Sequence, residues 1–326
     1  MSYRDVGELL IGDSPAMRQL RALIVRVASS ELPVLIQGET GVGKELVTRA
    51  LHHASDRPGA LVSFNVCAVA DTMFEDALFG HVRGAYTGAV QSTPGYMTEA
   101  HRGTLFLDEI SGLSVVNQLK LLRAVESKEF RPVGASADRR SDFRVVAASN
   151  EDLPALVAAG RFRQDLLHRL GAVRLLVPPL RERRSDIPLL IRTFAARASA
   201  AGADLVVDGA ALKILQAHSW PGNVREVRHV VEAMLTLTDG GIVRVDDVAP
   251  LLAGAAAPLR ARRRREDERL LAMLDATAWD VDEVARRLGV HRATVYRRLK
   301  RLGGEVPPAL SLTDDPDCSA PGVALA

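Results

Sequence analysis

The sequence predicts an α/β fold built on a buried parallel sheet, followed by a helical subdomain and a small all-α unit, and three observations predict it. Five short apolar runs, VLIQ (34–37), LVSFN (61–65), TLFLD (104–108), FRVVAAS (143–149) and VRLLV (173–177), alternate with amphipathic stretches over the first 180 residues. Nearly continuous apolar strands separated by helices are what a parallel sheet covered on both faces requires. From Ser185 to Leu252 the apolar residues of DIPLLIRTFAARASA, GAALKILQAH and NVREVRHVVEAMLTL recur at three- and four-residue spacing, the period of helices packed on one face. A last segment, EDERLLAMLDAT, VDEVARRLG and HRATVYRRLKRLG, reads as three further short helices.

These elements divide the chain into an α/β unit over 7–182, a helical subdomain over 183–252, an Ala- and Arg-rich linker over 253–265, a helical unit over 266–302 and a tail over 303–326 expected to be disordered. At 326 residues and 47% hydrophobic the chain is long enough for two or three domains, and wholesale disorder is excluded. Its two cysteines, Cys67 and Cys318, lie far apart without metal-ligand spacing, which suits a reducing compartment rather than a disulfide framework. The N-terminus carries no basic region followed by an apolar run, and no stretch nears the roughly 18 apolar residues of a membrane span. A cytoplasmic protein without membrane contact is expected. Net charge is only +2, yet residues 259–302 hold 13 Lys/Arg against 7 Asp/Glu. An anionic partner is therefore expected for the C-terminal part alone.

The first strand runs directly into Gly38, Glu39, Thr40, Gly41, Val42, Gly43, Lys44 and Glu45, and then into the helical stretch LVTRALHHA. That is the setting of a phosphate-binding loop: glycines let backbone N–H groups wrap phosphates, Lys44 reaches the outer oxygens, and the helix N-terminus adds its dipole. The usual Ser/Thr after the lysine is replaced by Glu45, so no hydroxyl holds magnesium there. Downstream, Gly103–Glu109 places Asp108 and Glu109 at the end of a buried strand, where parallel sheets keep their ligand sites. The chemistry of phosphoryl hydrolysis divides the labour between a magnesium ligand, Asp108, and a base that polarises the attacking water, Glu109.

Together these residues resemble one family, the AAA+ activators of sigma-54 RNA polymerase. GETGVGKE is similar to its GE(S/T)GxGKE loop, in which Glu does follow the lysine, and LFGHVRGAYTGA (78–89) resembles its ELFGHxxGAFTGA segment. RFRQDLLHRL (161–170), PPLRER (178–183) and WPGNVRE (220–226) resemble further boxes of the family in the same order. The resemblance covers roughly residues 7–250 and the C-terminal segment. It implies an AAA+ P-loop NTPase with a helical lid and a Fis-type helix-turn-helix, ATP and Mg2+ as cofactors, and an ATPase that remodels sigma-54 polymerase from closed to open complex.

The roles it implies fall on particular residues. Asn65 resembles the switch asparagine that hydrogen-bonds Glu109, Asn150 resembles sensor I, and Arg225 the sensor II arginine. Arg163 and Arg169 resemble arginine fingers given to a neighbouring subunit, which implies a hexameric ring. Gly84, Ala85, Tyr86, Thr87, Gly88 and Ala89 would form the loop that engages sigma-54, its small residues permitting large backbone changes. Two positions depart from the family: Tyr86 stands in place of Phe, and Ala77 in place of Glu before LFG.

In the C-terminal unit Asp280 is placed to cap the second helix, and Leu288-Gly289-Val290 makes a tight turn before the third, which would enter the major groove of double-stranded DNA. His291, Arg292, Thr294 and Tyr296 are candidates for base or sugar contacts, and Arg297, Arg298, Lys300 and Arg301 for phosphates. Binding as a dimer upstream of promoters is expected, with Arg262–Arg265 either a DNA clamp or a solubilising arm. Only about ten residues precede the α/β unit, so the N-terminal sensing domain common in the family is expected to be absent and control to come from a separate regulatory protein, a co-activator in mixed rings, or expression. Two other classes compete: a non-remodelling DNA-binding regulator, against which GAYTGA argues, and a generic AAA+ unfoldase, against which the helix-turn-helix argues.

Overall fold

The computed structural model describes residues 3–198, 205–237, 242–253 and 267–288, with Val290, Arg292, Val295, Tyr296 and Leu299. Five strands form its central sheet: β1 (Val34–Gln37), β2 (Leu61–Asn65), β3 (Thr104–Asp108), β4 (Arg144–Ser149) and β5 (Val173–Leu176). All pair in parallel, in the order β2-β3-β4-β1-β5. The strands start and stop within a residue of where the apolar runs do, because each run is bounded by residues that leave the ladder.

Alternation along the strands explains why the runs are apolar throughout. Leu35, Leu105, Leu107, Val145 and Ala147 join a core on one face with Phe64, Phe74 and Leu121. Their neighbours Val34, Ile36, Phe106, Val146, Ala148 and Leu175 join a second core with Leu20, Ile24, Val47 and Leu51. Successive side chains point to opposite faces, so a sheet with two cores has no solvent-facing register. Burying a side chain such as Phe106 contributes roughly 1.5–3 kcal/mol.

The helix Pro15–Ala28 supplies much of the second core; Ser14 caps it, its hydroxyl accepting from the Met17 N–H at 3.4 Å. Its C-terminus is held by Arg144, whose guanidinium is buried and donates to the carbonyls of Ala28 (2.6 Å), Val27 (2.9 Å) and Leu32 (3.3 Å). A cation on the orphan carbonyls of a helix end is favourable, and here it ties the helix to β4.

The described residues divide into two compact units, one made of residues up to 194 together with 215–231, the other of 195–214 and the residues from 232 on. The predicted helices of the second half occur at Ile187–Ala198, Gly209–Ala217 and Asn223–Leu237, with a further helix at Val245–Leu252. A two-residue parallel pairing of Val206–Val207 with Ile242–Val243 was not legible in the sequence. In the C-terminal segment Leu270, Leu274, Val281, Val284, Ala285, Val295 and Leu299 form their own core. The helix Val281–Leu288 begins as expected at Asp280, whose carboxylate accepts from the Glu283 N–H at 2.9 Å.

Candidate functional site

The carboxyl ends of the strands gather the residues singled out above. Register sets Asn65 opposite Asp108 and Gln37 opposite Ser149, and the Gly38 N–H donates to the Ser149 carbonyl at 3.2 Å. The loop after β1, the end of β3 and the end of β4 therefore face one region, the edge at which open α/β sheets place ligands.

Lys44 begins the helix Lys44–Ala54, and its Nζ donates to the carbonyls of Gly38 (2.8 Å) and Glu39 (3.1 Å). Burial lowers its pKa, while Asp108 and Glu109 pull in the opposite direction. Burial pushes the Asp108 carboxyl up, against the Glu109 backbone N–H, which donates to Oδ1 at 3.0 Å, and against Lys44. Glu109 follows in a left-handed conformation, φ +56°, a backbone rarely adopted by a non-glycine residue and common where a site fixes a side chain. The Asn65 Nδ2 donates to Glu109 Oε2 at 3.3 Å, and its own Oδ1 accepts from the Cys67 N–H at 2.9 Å. Asn150 Nδ2 donates to Thr40 Oγ1 at 3.4 Å, and its Oδ1 accepts from the Ser111 hydroxyl at 3.4 Å. Glu45 faces outward and pairs with Arg49 at 2.7 Å. The donor set is oxygen only, with a half-buried ammonium beside it, which fits phosphates accompanied by a hard divalent cation that takes one or two protein carboxylates.

Arg163 and Arg169 stand apart from this cluster. Arg163 precedes the helix Gln164–Leu170 and pairs with Asp165 at 2.6 Å, and Arg169 donates to the Val125 carbonyl at 3.4 Å. Among the described residues neither bonds to the phosphate loop, Asp108 or Glu109. Arg225 is exposed, and its backbone N–H donates to the Gly41 carbonyl at 3.3 Å.

Three residues at this site were missed. Arg181 pairs with Glu39 at 2.6 Å, the buried Asn223 bonds both Glu39 and Thr40, and the buried Arg183 donates to the Val42 carbonyl at 3.2 Å. The motifs containing them were visible, but pairings across some 140 to 180 residues have no local signature.

Gly84 to Ala89 form a compact turn at the surface. The Gly84 N–H donates to the Ala89 carbonyl at 2.9 Å and the Ala89 N–H to the Tyr86 carbonyl at 3.0 Å. Gly84 and Gly88 have φ of +79° and +102°; Thr87 is exposed and Tyr86 is 43% exposed. The hydroxyl that distinguishes Tyr86 from Phe donates to Asp76 at 3.4 Å, and its ring meets the edge of His81, itself 2.6 Å from Asp76. The base of the turn leans on a second segment, Val82 N–H donating to the Val133 carbonyl (3.1 Å) and Val133 N–H to that of Gly80 (2.8 Å). Gly134 has φ +76°, and a Cβ there would lie 2.8 Å from that of Ala85. Gly134→Ala is therefore expected to cost about 1–3 kcal/mol through backbone strain and to loosen the turn. Tryptic cleavage after Arg83 should quicken; an unchanged cleavage rate would show that the turn does not depend on this contact.

In the C-terminal segment Arg292 is exposed and Tyr296 is half-buried against the local core. His291, Thr294, Arg297, Arg298, Lys300 and Arg301 lie outside the described residues, as do Cys318, Arg262–Arg265 and the tail. Among the described residues no helix is long and apolar enough to cross a membrane.

Comparison with known proteins gives three consecutive family matches: a sigma-54 interaction domain over residues 10–176, an AAA+ ATPase lid domain over 181–265, and a bacterial regulatory protein domain of the Fis family over 261–302. The chain is 44% identical to the C4-dicarboxylate transport transcriptional regulatory protein DctD of Rhizobium meliloti, over 90% of this chain and 64% of DctD. It is 41% identical to the transcriptional regulatory protein ZraR of Escherichia coli, over 90% of this chain and 68% of ZraR. With the response regulator protein PilR of Pseudomonas aeruginosa it shares 40%, over 91% and 70%. Among solved structures, NtrX from Brucella abortus in complex with ATP superimposes with a TM-score of 0.68 at 37% identity, covering 92% of this chain and 72% of NtrX. Its complex with ADP gives 0.69 at 35%. RuvB of Thermotoga maritima, at 16% identity and a TM-score of 0.50, shares the fold.

Proposed function

The chain belongs to the sigma-54 interaction family of transcriptional regulators, and on that premise we propose that it hydrolyses ATP in an oligomeric ring to drive sigma-54 polymerase from closed to open complex. One observation carries this reading: the compact unit that gathers Lys44, Asp108, Glu109, Asn65 and Asn150 also presents Tyr86 and Thr87 of GAYTGA at its surface.

The phosphate loop holds the triphosphate through the backbone N–H groups of residues 38 to 44, and Lys44 turns from the Gly38 and Glu39 carbonyls to the β- and γ-oxygens. Asp108 would hold a magnesium ion, which when bound would neutralise charge on the transferring phosphoryl group. Glu109 orients the attacking water and accepts its proton. Asn65, bonded to Glu109, reports at the end of β2 whether that carboxylate is engaged, and Asn150 orients the water or γ-phosphate from β4. Arg163 and Arg169 act on the neighbouring subunit's nucleotide, as their separation from the site within this chain supports, and Arg225 reads nucleotide from its own chain. A hexamer satisfies that arrangement, because a head-to-tail interface with a closing rotation makes a ring. The turn at 84–89 is then pushed against sigma-54 by hydrolysis. The Fis-type segment holds the protein at double-stranded DNA upstream of the promoter as a dimer, with Arg292 and Tyr296 among its contacts.

The reading is tested with the purified chain, sigma-54 polymerase and a promoter carrying an upstream site. Open complexes should form with ATP and not with a non-hydrolysable analogue. Robust hydrolysis without any promoter opening would leave a DNA-binding regulator whose ATPase serves assembly alone.

A further inference from the structure

Asn223 is fully buried, sits at the start of the helix Asn223–Leu237 with φ +53°, and spends its whole amide on two distant segments. Its Oδ1 accepts from the Leu180 N–H at 2.8 Å; its Nδ2 donates to the Thr40 carbonyl and to Glu39 Oε2, each at 3.1 Å. Both amide hydrogens are thus committed to the phosphate loop. Arg181 reaches both oxygens of Glu39, Nη2 on Oε1 at 2.6 Å and Nη1 on Oε2 at 2.8 Å, and Arg181 first, then Asn223, hold the Glu39 carboxyl below its usual range. Two residues on, the Arg225 N–H donates to the Gly41 carbonyl at 3.3 Å.

A trans peptide group is planar, and its C=O and N–H point in opposite directions. A partner that holds the Thr40 carbonyl on the outside of the loop therefore aims the Gly41 N–H inward, and the partner on the Gly41 carbonyl does the same for the Val42 N–H. Gly41 alone permits this approach, since a Cβ there would run into the Gly222 carbonyl. We infer that Asn223 is a positioning residue for ATP binding, which fixes the inward aim of the Gly41 N–H by gripping the Thr40 carbonyl from behind, with Glu39 as its counter-grip. Thr40 is then held on two sides, by Asn223 at its carbonyl and by Asn150 at its hydroxyl, so the loop joins the β4 end to the start of the 223–237 helix. This inference rests on the ATPase reading given above.

The test separates gripping the loop from capping the Leu180 N–H. Asn223→Asp retains an oxygen for Leu180 and tolerates the left-handed backbone, but turns an acceptor toward Glu39 and the Thr40 carbonyl. Losing a pair of buried donors should raise the KM for ATP about tenfold or more, with kcat within about threefold. Asn223→Gly, which keeps the backbone and removes the side chain, should raise KM similarly. A normal KM in both single variants, with only thermal stability or the active fraction reduced, would overturn the inference. An unsubstituted protein that hydrolyses no ATP would instead overturn the ATPase reading on which the inference stands.

Discussion

Glu109→Gln should lower ATP hydrolysis by about 10²- to 10⁴-fold, the usual worth of a positioned general base, while nucleotide binding stays close to native. The substitution is nearly isosteric, and the new amide oxygen can still accept from Asn65 Nδ2, which reaches Glu109 Oε2 at 3.3 Å. Lys44, the loop N–H groups and Asp108 are untouched. What disappears, on the proposed mechanism, is the carboxylate that takes the proton of the attacking water. Single-turnover hydrolysis with a parallel nucleotide titration checks this. Turnover near the native rate would remove Glu109 from the role of base, and loss of binding in step with turnover would make it a ligand of the nucleotide instead.

Arg163→Ala should be as severe, by about 10³-fold, when an arginine that stabilises the transition-state charge is lost. Among the described residues Arg163 pairs with Asp165 at 2.6 Å and bonds neither the phosphate loop nor Asp108 nor Glu109, so on the proposed mechanism its effect on hydrolysis passes between subunits. Mixing provides the signature. Subunits carrying Arg163→Ala retain Glu109, and subunits carrying Glu109→Gln retain Arg163; in a randomly mixed ring about a quarter of the head-to-tail interfaces combine both intact residues. Each variant alone should be nearly inactive, and an equimolar mixture should regain a substantial fraction of native activity. A mixture no more active than its parts would place the arginine in cis or outside catalysis.

The sheet was legible because its signal is one-dimensional. A strand buried on both faces needs an unbroken apolar run, and Leu35 and Ile36 show why: one belongs to each core. The two-residue pairings at Gly80–His81 with Thr93–Pro94 and at Glu129–Phe130 with Arg139–Arg140 left no such trace, since two residues establish no period. The candidate site was legible where chemistry is written in consecutive residues, as in the glycine loop and in Asp108-Glu109. It was not legible where the topology writes it. Asn223 lies 183 residues from Thr40 and Arg181 lies 142 from Glu39, and both pairs meet only because the chain returns to the back of the loop. The sequence shows that Tyr86 stands in place of Phe; that its hydroxyl reaches Asp76, already in contact with His81, depends on packing around the turn.

On the proposed mechanism hydrolysis at the sheet edge acts on sigma-54 through the surface turn at 84–89, and Thr87→Ala should separate the two activities. Thr87 is exposed and lies in a different segment from the residues gathered around Lys44, Asp108 and Glu109, so its loss should leave ATP turnover intact. Open-complex formation by sigma-54 polymerase with ATP should therefore occur with the unsubstituted protein and fail with Thr87→Ala, at matched ATPase rates. Equal promoter opening by both would contradict the claim that this turn transmits the energy of hydrolysis.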